Sequence, residues 1–177
     1  MNRMLALAVA ALLAAPAAAQ TAKQDPKPHT VDLMKYVEEA SASDLFEVKA
    51  SRLALQRSQD PAIRRFAQQM VSEHTDSANR LKMELEKARV EVKPPTALDA
   101  EKQAMLDKLM NVGMEDFNRM YMSMQIAGHE EALDLHAAFA KTGADTFQKF
   151  AGNMTVNVKD HLTKAKQIET ALPHDAK

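Results

Sequence analysis

From Val31 to Leu172, apolar residues return every three or four positions in stretches too long for strands, with only a few breaks between them. This period marks helices that each bury one stripe. No strand pattern competes. Alternation is nowhere sustained, β-branched runs are absent, and the whole chain holds 4 glycines.

The breaks divide the chain. A first helix is expected over Val31–Ser58, with Leu33, Val37, Ala40, Leu45, Val48 and Leu55 recurring at helical steps. "QDPAI" then marks a new start. Asp60 suits an N-cap, and Pro61 suits the first helical position, where its missing N–H has no intrahelical partner. The second helix runs to about Arg89, with Phe66, Met70, Val71, His74, Ala78, Leu81 and Leu85 on one stripe. "VEVKPPT" ends it, because the residue before a proline is pushed out of helical geometry.

"TALD" reads as a capping box from Thr96 to Asp99 and opens a short helix to about Met110. Gly113 interrupts, a long helix follows over Met114–Lys141, and Gly143 suits its C-terminal cap. The last helix runs from Ala144 to Leu172 and stops at Pro173. The expected architecture is all-α. It is an antiparallel four-helix bundle over residues 31–172, with a short extra helix before the third long one and a tail at 173–177.

The N-terminus reads differently. "MNRMLALAVAALLAAPAAAQ" has a basic start at Arg3, an apolar run from Met4 to Ala15, and Pro16 before Ala17-Ala18-Ala19. This is the pattern of a signal peptide, residues 1–19, cut after an A-x-A site. Its apolar run falls short of the roughly 20 residues that span a bilayer. Residues 20–30, polar with two prolines, read as a flexible leader. Export to the periplasm or the medium is the expectation, with no stable membrane insertion once the signal is removed. The chain has no cysteine, which excludes disulfides, thiolate metal sites and a lipidated N-terminal cysteine. Its 23 basic and 24 acidic residues nearly balance, and no basic face forms that would bind nucleic acid.

Four histidines fall on or beside apolar stripes: His74, His129, His136 and His161. Each has an apolar residue three positions earlier. Glu47 sits in comparable company, among Ala40, Ala50 and Ala54. If the helices alternate up and down in chain order, Glu47, His74 and His129 share one depth. His161 then lies about 6–9 Å deeper, at 1.5 Å per residue. Imidazole and carboxylate suit iron, zinc, copper or manganese, so Glu47, His74, His129 and His161 form a candidate mononuclear metal site. The alternative is a layer of neutral core histidines hydrogen-bonded to Glu47, to one another or to water.

A ferritin-type di-iron site needs two Glu-x-x-His motifs, and the chain has none. Glu73, Glu130 and Asp160 adjoin the histidines, about 100° round the helix from them. They are therefore exposed, or they support histidines on a neighbouring helix. "RMYMSMQ" groups Met120, Met122 and Met124, with Met70 four residues before His74. Thioether with imidazole would suit Cu(I), while methionine is also a routine core filler. Exposed methionines on the third long helix would favour a homo-oligomer. No cysteine nucleophile, G-x-S-x-G elbow or phosphate-binding glycine loop is present, so the chain leans away from enzymes.

The stretches "DLFEVKASRLALQRSQDPAIRRFAQQMVSEHTDSANRLK", "FNRMYMSMQIAGHEEALDLHAAFA" and "FQKFAGNMTVNVKDHLTKAKQI" together resemble the bacterial exported family catalogued as domain of unknown function 4142. The resemblance covers about residues 31–170 and implies a ferritin-like fold and export. The family pattern falls here on Glu47, on Met70, Val71, Glu73 and His74, on Tyr121, His129 and Glu130, and on His161 and Ala165. Gly128 departs from it, since an acid usually precedes the third-helix histidine. The resemblance implies no settled activity. Two readings follow: a metal-holding bundle for storage, sensing or stress protection, or a non-catalytic envelope-stress or partner-binding module with structural histidines.

Overall fold

A computed structural model of the chain describes residues 28–173, with side chains from Asp32 onward. The expected signal peptide, most of the expected leader and the end of the tail lie outside the described residues. Five helices form: α1 (Pro28–Arg57), α2 (Pro61–Ala88), α3 (Ala100–Asn111), α4 (Met114–Thr142) and α5 (Asp145–Ala171). No strand occurs among the described residues. The all-α expectation holds, with four long helices and one short helix before the third long one.

Local chemistry explains the boundaries. Asp60 Oδ1 accepts from the Ala62 and Ile63 amides at 2.7 and 3.1 Å, and Pro61 opens α2. The end of α2 is not made by the prolines. Arg89 turns left-handed at φ 53°, and the Arg89 and Val90 amides donate back to Glu86 and Leu85 at 3.1 and 3.0 Å. This backward pair closes the helix well before Pro94. A left-handed arginine is strained, so Arg89→Gly should raise stability by about 0.5–1 kcal/mol, read as a higher urea midpoint at unchanged m-value.

Two other caps differ from expectation. Asp99, not Thr96, caps α3, its Oδ1 accepting from the Lys102 amide at 2.7 Å. Aspartate outranks threonine as an N-cap. Gly143 does cap α4, but with extended backbone at φ −71°. Glycine is required there for space: a Cβ would stand 2.5 Å from the Phe139 ring.

The helices do not alternate up and down in chain order. Ser51 meets Tyr121 and Tyr36 meets His136, so α1 and α4 are antiparallel neighbours. Gln69 meets Lys164 and Ser77 meets Met154, so α2 and α5 are antiparallel neighbours as well. The order around the bundle is therefore α1, α2, α5, α4. Residues 89–113, including α3, carry the chain from the far end of α2 back to the end where α1 stops. Arg57 fastens that return, donating to the Leu109, Met110 and Val112 carbonyls at 2.9, 2.9 and 2.7 Å.

Two apolar clusters fill the interior. One is built around Phe46, Phe66, Met70, Tyr121 and Met122, the other around Tyr36, Leu81, Phe139, Phe147 and Phe150. Met122 is fully buried, and Met120 and Met124 pack against the same cluster. On α2, Ser77 is buried where Ala78 was expected, and Ala78 is exposed. Between the two apolar clusters lies a polar layer.

Candidate metal centre

The polar layer holds Asp44 and Glu47 of α1, His74 of α2, Gln125 and His129 of α4, and His161 of α5, all buried. His74, His129 and His161 form a nearly equilateral triangle, with ring centroids 5.5, 5.5 and 5.3 Å apart. The extra depth expected of His161 is absent, for two reasons. The return of the chain beside α3 places α4 and α5 in the opposite sense to that assumed. Helical side chains also lean toward their own N-termini. Glu47 and His161 sit about three turns from C-terminal ends, His74 and His129 about four turns from N-terminal ends, and the opposed leans bring all four to one level.

In each ring of the triangle, one nitrogen is held from outside. His74 Nδ1 donates to Asp44 Oδ1 at 2.8 Å, His129 Nδ1 to the Gln125 carbonyl at 2.7 Å, and His161 Nε2 to Glu73 Oε2 at 2.6 Å. Carbonyl and carboxylate oxygens only accept, so these bonds fix the N–H on the outer nitrogen. His74 Nε2, His129 Nε2 and His161 Nδ1 remain, buried and without hydrogen-bond partners. One nitrogen from each ring lies within 4.8 Å of those from the other two. Unpartnered lone pairs gathered in a buried layer attract positive charge.

Electrostatics support this picture. Burial pushes His129 down to about 3, and positive charge at His74 and His161 would add to the effect, so its lone pair is free at neutral pH. Burial also lowers His161 by more than Glu73 raises it. Burial opposes charge on His74 too, but the hydrogen bond and charge of Asp44, with Glu47 and Glu73, outweigh it and shift the ring upward. Of the three rings, His74 is the one whose surroundings favour a proton, and a metal ion would compete with that proton. A small cavity of about 20 Å³ opens beside the triad, lined by His74, His161, Asp44 and Met154 among others.

Glu47 is adjacent but does not converge with the three rings. Its Oε1 is 3.9 Å from His129 Nδ1, and its Oε2 accepts from Gln125 Nε2 at 2.5 Å. Burial pushes its carboxyl up to about 7. His136 stands apart from the triad, bonded through Nδ1 to the Tyr36 hydroxyl at 2.9 Å, as a satisfied core histidine. Glu73 supports a histidine on a neighbouring helix, one of the two roles its sequence position allowed. Asp44 and Gln125 were missed. The available signal was spacing: Asp44 is three residues before Glu47, and Gln125 is four before His129. Ligand histidines are commonly oriented by such partners, so Asp44→Asn should weaken metal binding about 10–100-fold, measured by chelator competition.

The chain is thus an all-helical bundle with a buried triad of histidines on three helices. The chain belongs to the family described as Domain of unknown function (DUF4142), which matches residues 15–168. No curated protein matches it. Its fold is similar to the crystal structure of a DUF305 fragment from Deinococcus radiodurans. The TM-score is 0.70 at 14% identity, over 82% of this chain and 98% of that one.

Proposed function

We propose that this protein is an exported, ferritin-like bundle that holds one divalent transition-metal ion in its core on His74, His129 and His161. One observation carries the reading: each of three clustered, buried imidazoles has one nitrogen anchored by a hydrogen bond and one without a partner, and one nitrogen of each lies within 4.8 Å of those of the other two. Nitrogens bound to one ion at about 2.0–2.1 Å stand roughly 3.3–3.6 Å apart. With the nitrogens within 4.8 Å of one another, the rings need to close by at most about 1.5 Å. Three imidazoles suit zinc, copper or iron. Glu47 stands beside the outer nitrogen of His129, so it would serve as a fourth ligand only by swinging past that ring. The single long connection, residues 89–113, is the connectivity of ferritin-like folds, but the ligand set is mononuclear. One ion per chain suits sensing or protective sequestration more than bulk storage.

Elemental analysis of protein isolated from its native export compartment tests the proposal. Wild type should carry about one equivalent of a transition metal, and His74→Ala almost none. Equal, negligible metal in both would leave the histidines as structural groups like His136.

A further inference from the structure

Between α1, α3 and α4 lies a pocket of about 250 Å³ whose lining includes Glu39, Glu101, Glu131, Lys102, Gly128 and the carboxyl of Glu47. Four of these six residues are acids and one is a cation. Glu39, Glu101 and Glu131 are exposed, whereas Glu47 is 2% exposed. The hydrogen bond from Gln125 falls on Glu47 Oε2; Oε1 lies 3.9 Å from His129 Nδ1. Beyond it in the same buried layer is the His129 ring, one member of the triad, whose outer nitrogen is 3.9 Å from this oxygen.

Gly128 occupies the critical position. It is in mid-helix, where glycine costs about 1 kcal/mol relative to alanine, so its presence calls for a local reason. A Cβ at this position would stand 3.1 Å from Glu47 Oε1. The carboxylate would have to give by a few tenths of an ångström, and a larger side chain would fill the pocket in front of it.

We infer that this pocket is the port through which a divalent transition cation reaches the histidine triad, with Glu47 receiving the ion at its floor and Gly128 keeping that carboxylate open. The inference rests on the metal reading above. Acidic walls concentrate cations and speed their arrival, an effect that weakens with salt. Lys102 is the opposing charge, and its field reaches Glu47. A competing way in lies on the α2–α5 side, where Glu73 is partly exposed next to His161.

The test follows Co²⁺ uptake by the full mature chain, read by visible absorption in a stopped-flow instrument at low ionic strength. Gly128→Leu should fold, because leucine favours helix and the pocket has room for it. It should load at least about tenfold more slowly than wild type to the same final absorption, since arrival must then wait for local opening. The paired substitution of exposed residues, Glu39→Gln with Glu131→Gln, should slow loading about two- to fivefold and flatten its salt dependence. If Gly128→Leu does not fold, this pair decides. Wild-type loading with unchanged rates in the variants overturns the port and leaves the metal reading standing. A wild type showing no absorption that His129→Ala abolishes overturns the metal reading, and the port with it.

Discussion

Chelation of metal-loaded wild-type protein should lower its melting temperature by about 5–15 °C and leave His129→Ala unmoved. An ion that binds only the folded chain stabilises it by about 2.7 kcal/mol at a hundredfold excess over Kd and about 4.1 at a thousandfold. For a chain of this length, each kcal/mol moves the midpoint by about 2–4 °C. The triad draws one ring from each of α2, α4 and α5, so no helix alone offers the site and binding stabilises the whole assembly. His129→Ala removes one ring from between Phe66, His74 and His161, and should itself cost about 2–4 kcal/mol through the cavity left behind. Scanning calorimetry with and without chelator separates these effects. A wild-type midpoint indifferent to chelator after metal loading would remove the metal from the site.

The metal-free protein should lose about 3–5 kcal/mol of stability between pH 6.5 and 4.5. His129 and His136 are held down by burial, to about 3 and about 4, and His161 is lowered as well. In the unfolded chain all three titrate near 6.5. Below that pH the unfolded state binds protons that the folded state refuses. Their contribution is complete above pH 6.5 and disappears as pH falls through the folded values.

Glu47 works in the opposite direction. Its folded carboxyl is raised to about 7, so its contribution is complete below about pH 4.5 and lost as pH rises to 7. His74, also raised, has its contribution in place below 6.5 and loses it at higher pH. Three imidazoles against one carboxyl leave net acid destabilisation. Urea midpoints measured across this range should fall with pH, and His136→Gln should remove about one proton from the slope. A flat profile from pH 6.5 to 4.5 would mean that these rings are not buried as described.

Much of the fold was legible because helical stripes and their breaks are local. Asp60 and Pro61 announce α2, and Gly113 separates α3 from α4, through backbone chemistry that acts within a few residues. The end of α2 is not legible, because a left-handed arginine carries no compositional mark, whereas Pro94 and Pro95 are conspicuous. At the site, His74, His129 and His161 were legible as polar residues on apolar stripes. Asp44 and Gln125 were not, because a lone acid or amide on a long helix usually faces solvent.

The sequence by itself determined the helices, their buried stripes and the set of imidazoles available to the core. Those properties follow from a 3.6-residue period and from propensities that need no partner. The tertiary structure alone decided which helices are neighbours. Apolar stripes are non-directional, and α2 could bury its stripe against α4 as readily as against α5. The return of the chain beside α3 settles the choice. It turns α4 and α5 so that opposed side-chain leans cancel the difference in depth. Three histidines and a glutamate on four helices thereby become a triad of lone pairs with a carboxylate beside it.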